Sequence, residues 1–265
     1  MSEGTVILKL GGSVITFKDG FMEANPASLS RLASEIHEAG REKLVLVHGG
    51  GSFGHPLAFK YKLHEGFKDY GQLEGFSRVH LAMRKLNRIV VESILAQGLK
   101  AVGIQPSSCV ITRSGRIERF ETTPLEKMLE LGITPVLYGD VVPDLERGFS
   151  ILSGDQIASY LGIRLNAEWI ILGTDVDGLY TGDPKRDPEA KLLEKVTLDG
   201  LKRIIDEIGE SSTLDVTKGM YGKIMELIPA IEKGVKVLIV NAKERDRVLK
   251  ALRSEKVRGT LILRS

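Results

Sequence analysis

Short apolar runs rich in β-branched residues recur along the chain and predict buried strands. They do not alternate with polar residues, which is typical of parallel strands covered on both faces. Between these runs, apolar residues recur every three or four positions, which predicts amphipathic helices. Strands and helices that alternate in this way indicate an α/β fold with a mostly parallel central sheet. The predicted strands are 6–10, 44–47, 134–138, 149–152, 169–172 and 235–240, and the predicted helices are 28–39, 76–96, 124–131, 156–161 and 219–233.

Two stretches interrupt this alternation. Residues 112–120 predict a hairpin that turns at Ser114 and Gly115, and residues 181–188, with two prolines, predict a turn-rich loop. We find no repeat of solenoid period and no linker of flexible composition. We therefore expect a single domain over residues 1–265, with a soft boundary between two lobes near residue 165.

Composition and charge narrow the classes of function. The 37 Lys and Arg residues against 35 Asp and Glu leave a net charge of +2, which gives no electrostatic case for nucleic acid or an anionic membrane as partner. The single cysteine, Cys109, cannot form an internal disulfide, which favours a reducing compartment. No apolar stretch approaches the roughly 20 residues that span a bilayer. We expect a cytoplasmic protein without nucleic-acid or membrane partners.

A first glycine-rich turn follows the first predicted strand. The backbone N–H groups of Gly11, Gly12 and Ser13 could close on an anion, with the charge of Lys9 beside them. A tight turn with a solvated lysine accounts for the same residues equally well. Lys18, further along this loop, has the pattern of a surface lysine when it is taken alone.

A second glycine-rich run, HGGGSFGHP at 48–56, is harder to explain as a turn. It has four glycines in six positions, more than a turn needs, which suits a ligand that approaches the backbone closely. Pro56 fits the first turn of a helix, so loop N–H groups and a helix N-terminus would meet there. His55 could donate to a phosphate oxygen, whereas His48 ends a strand and is expected to be structural.

Other interpretations of the glycines are weaker. Gly49, Gly51 and Gly54 match the dinucleotide fingerprint with Glu74 twenty residues beyond, but this run follows the second strand rather than the first. The fingerprint also leaves the C-terminal half unexplained. The Walker A sequence and the protein-kinase signatures are absent from the sequence.

Two acidic junctions follow later strands. Asp155, after Ser153 and Gly154, reads either as a cap or first-turn acid of a helix, or as a carboxylate that holds lysines around transferring phosphates. Asp175 and Asp177 form either a plain turn or a calcium-like loop, although the spacing of an EF-hand is missing.

A last junction brings further glycines and a lysine to a helix N-terminus. Gly219, Gly222 and Lys223 begin the predicted helix 219–233, a setting that suits phosphate. Four such junctions, with three lysines among them and without a Walker loop, indicate phosphoryl transfer by positioning and charge stabilisation.

Taken in order, these motifs resemble those of the amino-acid kinase family. The motifs are KLGGS at 9–13, HGGG at 48–51, SGD at 153–155, TDVDG at 174–178 and GxxxK at 219–223. Within that family the chain is most similar to the archaeal isopentenyl phosphate kinases, through GSFGHP at 51–56, QPSS at 105–108 and YGDVV at 138–142.

The resemblance implies a fold and a reaction. The fold is a three-layer αβα sandwich in which an N-terminal lobe, 1–165, binds the phosphate acceptor and a C-terminal lobe, 166–265, binds ATP. The reaction is the ATP-dependent phosphorylation of isopentenyl phosphate to isopentenyl diphosphate, in an alternative mevalonate route. The resemblance further implies a homodimer, and Mg²⁺ held mainly by phosphate oxygens, with no metal site built by the protein.

The resemblance also implies roles for single residues. Lys18 would stabilise the transferring phosphoryl group and Asp155 would orient the lysines, which with Lys9 and His55 makes the catalytic set. No general base is expected, because the acceptor already carries a nucleophilic phosphate oxygen. The implied ATP contacts are Lys9, Gly11, Gly12, Ser13, Gly51, Asp175, Gly219 and Lys223; the implied acceptor contacts are Gly50, Gly54, His55 and Gly154; and the implied lining of an apolar tail pocket is Phe76, Val79, Met83 and Leu86.

Three alternatives stay open at this point. A fosfomycin-type phosphonate kinase resembles the chain in the same histidine loop, although the apolar stripe along 76–94 favours an apolar tail. A carboxylate kinase of the acetylglutamate type would be expected to lack His55. A nucleotide-sensing module without turnover would be expected to lack the lysines or Asp155.

Overall fold

Alternating strands and helices build the chain in the computed structural model, which describes residues 4–182, 189–210 and 218–265. The strands are β1 (Val6–Leu10), β2 (Leu44–His48), β3 (Ala101–Gly103), β4 (Val110–Arg113), β5 (Arg116–Phe120), β6 (Thr134–Tyr138), β7 (Asp140–Asp144), β8 (Gly148–Leu152), β9 (Trp169–Thr174), β10 (Lys195–Thr197), β11 (Lys236–Asn241) and β12 (Gly259–Leu263). The helices are α1 (Gly12–Ile15), α2 (Pro26–Ala39), α3 (Gly51–Lys60), α4 (Gly71–Leu95), α5 (Thr123–Glu130), α6 (Gly154–Arg164), α7 (Leu198–Glu210), α8 (Lys218–Glu232) and α9 (Arg247–Leu252).

A central sheet has the strand order β10-β12-β11-β9-β1-β2-β6-β3. Its neighbouring strands are parallel, except for the antiparallel pair β11 and β12. β1 lies between β2 and β9, so strands from both predicted lobes share one continuous sheet. The boundary that we expected near residue 165 falls between α6 and β9, and the assignment of substrates to two lobes stays a prediction.

Helices cover both faces of this sheet. Along β1, Leu8 packs in the cluster of one face and Ile7 in the cluster of the other, which explains why the run is apolar without alternation. The first cluster takes residues from α2, α3, α4 and α9, and the second from α5, α6, α7 and α8. The three-layer αβα sandwich with a mostly parallel sheet is therefore confirmed. Among the described residues, no helix is both long and apolar enough to span a bilayer.

The predicted elements are found, with shifted ends. The helix predicted over 28–39 starts two residues earlier, because Asn25 caps it by accepting a hydrogen bond from Ser28 N at 3.0 Å and a proline follows at its first position. The helix predicted from residue 76 starts at residue 71. The hairpin turns as expected, with Ser114 and Gly115 both at positive φ.

A second, four-stranded sheet with the order β5-β4-β7-β8 was not expected as a unit. The pattern predicted its hairpin and β8 but missed β7, which has an aspartate at each end and Pro143 within it. Residues 183–188 of the predicted turn-rich loop lie outside the described residues.

The expectation that Pro56 begins a helix was wrong. Helix α3 starts at Gly51, and Pro56 lies inside it. Proline has no N–H to offer to the carbonyl of Ser52, and that carbonyl accepts a hydrogen bond from Met22 N instead, at 3.1 Å. The glycines of the run 48–56 thus form the start of the helix itself.

Candidate functional site

Two glycine-rich turns pack backbone against backbone where β1 and β2 end. Gly11 N donates to the carbonyl of Gly173 at 2.8 Å, and Gly49 N donates to the carbonyl of Leu10 at 3.0 Å. A Cβ on Gly12 would lie 2.2 Å from the nitrogen of Gly51, which itself has a φ of +47°. Part of the glycine requirement that we assigned to a ligand therefore comes from the close approach of the two turns.

The next glycines make room for a methionine of α4. A Cβ on Gly54 would lie 2.8 Å from Sδ of Met83, and a Cβ on Gly50 would lie 3.3 Å from the same sulfur. The same Cβ on Gly50 would lie 3.2 Å from Cδ2 of His55. Gly50 and His55 are thus side by side at the start of α3, as an acceptor site formed by both residues requires.

A lysine and an aspartate form a buried ion pair at the centre of the site. Nζ of Lys9, on β1, lies 2.7 Å from Oδ1 of Asp155 in the first turn of α6. The N-cap of that helix is Ser153, whose hydroxyl accepts a hydrogen bond from Gln156 N at 3.0 Å. A Cβ on Gly154 would lie 3.1 Å from the carbonyl of His48, so this glycine lets the start of α6 come close to β2.

The side chains of Lys223 and His55 lie close enough to this ion pair to feel its charges. Burial lowers the pKa of Lys223, on α8, and the charge of Lys9 lowers it further, while Asp155 and Asp175 act in the opposite direction. Desolvation by the surrounding protein likewise lowers the pKa of His55, assisted by the charges of Lys223 and Lys9. Two lysines and an imidazole thus meet at this end of the sheet, a set of groups that suits an anion such as phosphate.

His48 has the structural role that its position predicted. Its ring is fully buried, donates from Nδ1 to the carbonyl of Gly49 at 3.1 Å and accepts at Nε2 from Asn87 at 3.2 Å. It also stacks on Tyr138, with 5.6 Å between ring centroids. Burial is the main reason that the pKa of His48 falls to about 4, so the ring is neutral at physiological pH.

Three of the predicted site residues lie at the surface, and His55 on α3 is one of them. Lys18 is exposed in the turn after α1, and Asp175 is exposed just after β9. Gly219 is the second residue of α8, and residues 211–217, directly before this helix, lie outside the described residues. Asp177, two residues after Asp175, is paired with Arg258 at 2.6 Å. The described residues contain no group of three or more side chains that could together bind a metal ion.

The predicted tail pocket is largely part of the core. Val79, Met83 and Leu86 are buried in the cluster between α4 and the sheet. Phe76 is only partly buried, and its ring lies edge-on to that of Phe149, 5.8 Å between centroids. Buried and pocket-lining positions carry the same apolar residues, so spacing alone did not separate them.

Sequence reasoning missed two residues that organise the site. The hydroxyl of Thr16 accepts a hydrogen bond from Ser52 N at 3.1 Å and donates to the carbonyl of Gly12 at 2.8 Å, so it joins the two glycine turns. Gln156, beside Asp155, binds the β4–β5 hairpin through both ends of its amide. Threonine and glutamine stand outside the glycine motifs, so no sequence signal pointed to them.

The chain is similar to known proteins both in sequence and in fold. A sequence model of the amino acid kinase family matches residues 4–241. The chain is 43% identical to isopentenyl phosphate kinase of Methanothermobacter thermautotrophicus, over 97% of this chain and 98% of that protein. It is 36% identical to isopentenyl phosphate kinase of Methanocaldococcus jannaschii, over 97% of each. It also superimposes on a crystal structure of isopentenyl phosphate kinase with a TM-score of 0.85 and 41% identity, over 97% of this chain and 100% of that one.

Proposed function

The chain belongs to the amino acid kinase family, and from that premise we propose that it phosphorylates isopentenyl phosphate with ATP to give isopentenyl diphosphate. The chain is a kinase, like the relatives that it matches over nearly its whole length. The observation that carries the proposal is the convergence of Lys9, His55, Asp155 and Lys223 at one end of the sheet. We assign the reaction to an alternative mevalonate route.

The proposed acceptor site lies at the start of α3. His55 and the backbone of Gly50, Gly54 and Gly154 would hold the phosphate of isopentenyl phosphate. An imidazole donates a hydrogen bond to phosphate in its neutral form and in its charged form, so the lowered pKa of His55 does not remove this role. Glycines suit this position because a side chain at Gly50 would crowd the imidazole.

The proposed ATP site lies on the other side of Lys9. Lys9, the backbone of 11–13 and Gly51 would contact the ATP phosphates, and Asp175, Gly219 and Lys223 would contact the nucleotide from the C-terminal half. Lys9 and Lys223 repel each other, and a phosphate chain between them would relieve that repulsion. Binding energy from the two lysines therefore favours the triphosphate.

We propose direct in-line transfer without a general base. An oxygen of the acceptor phosphate attacks the γ-phosphorus of ATP, and the bond from that phosphorus to the β–γ bridging oxygen breaks, which leaves ADP. The carboxylate of Asp155 fixes the ammonium group of Lys9 at 2.7 Å, so Lys9 meets the developing charge without reorganisation. Lys18, exposed in the turn after α1, would reach the transferring group from solvent.

Magnesium enters the proposal only with the nucleotide. The described residues around the site offer amides, an imidazole, ammonium groups and two carboxylates, of which that of Asp155 is already paired with Lys9 and that of Asp175 is a single exposed group. Such a donor set fits Mg²⁺ that is bound through phosphate oxygens of ATP. When bound in this way, the ion neutralises part of the phosphate charge.

Selection of the acceptor would depend on the apolar surroundings of its tail. The edge-on pair of Phe76 and Phe149 offers an apolar surface near the start of α4, with Met83 beneath the glycines of α3. This surface favours a hydrocarbon tail over the small polar epoxide of fosfomycin. A phosphonate kinase is therefore the second candidate, with the same roles for Lys9 and Asp155.

The state of the protein in the cell is part of the same proposal. We expect a homodimer in the cytoplasm, with residues 1–165 serving the acceptor and residues 166–265 serving ATP. Size-exclusion chromatography with light scattering tests the oligomeric state: a monomer at micromolar concentration would contradict it.

Turnover of isopentenyl phosphate with ATP and magnesium tests the function, with the product identified by mass. We expect isopentenyl diphosphate from the wild type and at least a hundredfold lower kcat/KM from His55→Ala, the typical cost of losing one donor to a transition-state anion. His48→Gln is the matched control and should keep most of the activity, because the ring of His48 is fully buried and both its nitrogens are bonded within the protein. Equal losses in both variants would contradict the role of His55.

A further inference from the structure

An ion pair joins the β4–β5 hairpin to helix α8, one helical turn beyond Lys223. Nη1 of Arg116 lies 2.7 Å from both carboxylate oxygens of Glu226. Glu226 follows Lys223 by three positions, so their side chains are neighbours on the surface of α8. The Glu226 side chain is 23% exposed and that of Arg116 is 58% exposed, so the pair is shielded from water mainly on the side of α8.

The hairpin that carries Arg116 is firmly held. Oε1 of Gln156 accepts a hydrogen bond from Ile117 N at 2.8 Å, and its Nε2 donates to the carbonyl of Gly115 at 3.2 Å. The carboxylate of Asp144 accepts a hydrogen bond from Gly115 N at 2.7 Å. Because these bonds flank Arg116 along the chain, its backbone is a fixed point from which the guanidinium reaches α8.

The same hairpin is tied to the centre of the site. Gln156 directly follows Asp155, the partner of Lys9, in the first turns of α6. The hairpin thus binds α6 through Gln156 and α8 through Arg116. It therefore adds a polar link between the helix that orients Lys9 and the helix that carries Lys223, which also pack in the same apolar cluster.

Lys223 needs such support for an electrostatic reason. Burial and the positive charge of Lys9 both work against its ammonium group, and both lower its pKa. Without phosphates between them, the two lysines repel, and the attraction of Asp155 and Asp175 for Lys223 only partly offsets the combined effect of burial and this repulsion. A tether one turn further along α8 helps to hold Lys223 at the site.

We propose that Arg116 and Glu226 are positioning residues that hold α8, and with it Lys223, against the phosphates of ATP. They act through Lys223 and touch neither substrate. The inference rests on the proposed use of Lys223 for nucleotide, and it extends the site to a pair that lies outside the glycine motifs.

Binding of a non-hydrolysable ATP analogue, measured by calorimetry without acceptor, tests this pair. Arg116→Ala and Glu226→Ala should each weaken binding about fivefold, the upper range for a partly shielded ion pair, and should lower kcat for turnover. The exchanged pair, Arg116→Glu with Glu226→Arg, should recover most of the affinity. Arg113→Ala is the matched control: it removes exposed ion pairs from the same hairpin and should bind like the wild type.

A double-mutant cycle with Lys223→Ala separates positioning from mere stabilisation of the fold. If Arg116 acts through Lys223, then Arg116→Ala should cost little further affinity once Lys223 is alanine. Fully additive losses, or a lowered melting temperature with unchanged nucleotide affinity, would overturn the proposal. Because binding is measured without acceptor, a wild type that fails to phosphorylate isopentenyl phosphate would contradict the proposed function and leave this test intact.

Discussion

Lys9 lies in the middle strand of the sheet, where a charge is costly unless another charge meets it. Asp155 does so from α6 at 2.7 Å, and both side chains are buried. Removing one partner of a buried pair leaves the other charge unpaired, which costs about 3–5 kcal/mol. Lys9 is therefore expected to serve the fold as well as the reaction.

Substitution of Lys9 and of Lys18 should have different effects on stability. Lys9→Met should abolish turnover and also lower stability by about 3 kcal/mol, because Asp155 loses its partner. Lys18→Met should lower kcat at least tenfold through the lost transition-state charge, with an unchanged melting temperature, since Lys18 is exposed. Kinetics and urea unfolding of both variants check this difference. A Lys18→Met variant with full kcat would remove Lys18 from the catalytic set.

His48 makes stability depend on pH. Its pKa falls from the ordinary 6.5 to about 4 in the folded protein, so the unfolded chain binds the proton first as the pH falls. The contribution of His48 to stability is complete above pH 6.5 and is lost between pH 6.5 and 4, which amounts to about 2 kcal/mol between pH 7 and pH 5. Urea unfolding at the two pH values measures it. His48→Gln should lose less stability over this interval, and an equal loss in both proteins would contradict the assignment.

At the scale of elements, the starts of α1 and α3 depend on how closely two backbones approach. Gly12 begins α1 directly against Gly51, which begins α3, so the two turns fix each other's position. Gly222 lies in α8 with open space around the position of a Cβ. The chain thus contains, near one site, glycines that the close approach of two backbones requires and a glycine that has room for a side chain.

Two alanine substitutions separate these kinds of glycine. Gly12→Ala would put a Cβ 2.2 Å from the backbone of Gly51 and should destabilise the protein by about 2–4 kcal/mol. Gly222→Ala should stabilise α8 by about 0.5–1 kcal/mol, because alanine loses less backbone entropy in a helix. Urea midpoints test both values. A Gly12→Ala variant as stable as the wild type would show that the two turns can separate.

At the scale of the whole molecule, the pattern of apolar residues predicted the layers of the fold better than it predicted the contacts between residues. The run 6–10 was enough to predict a buried strand, since both of its faces meet helices. The four-stranded sheet escaped prediction because β7 mixes apolar and acidic positions. The pairing of Lys9 with Asp155, far apart in sequence, depends on topology, which brings the end of β1 to the start of α6.

The glycine run 48–56 illustrates the same limit. Its composition correctly indicated an unusual strand-to-helix junction, but the sequence could not say how much of the glycine content serves packing between the turns. Likewise, Val79 and Leu86 are core residues, although their spacing also fitted a pocket. Motifs thus indicated which residues converge at one end of the sheet, while the three-dimensional packing showed which of them are buried in the core.

The central claim is that this kinase acts on an isoprenoid monophosphate. Its most direct test is kcat/KM with ATP and magnesium for isopentenyl phosphate, dimethylallyl phosphate, fosfomycin and acetylglutamate, with each product identified by mass. We expect kcat/KM for isopentenyl phosphate, alone or together with dimethylallyl phosphate, to exceed that for the other two by at least about a hundredfold, since a phosphate site with an apolar neighbour rejects both polar acceptors. A preference for fosfomycin or acetylglutamate would contradict the central claim.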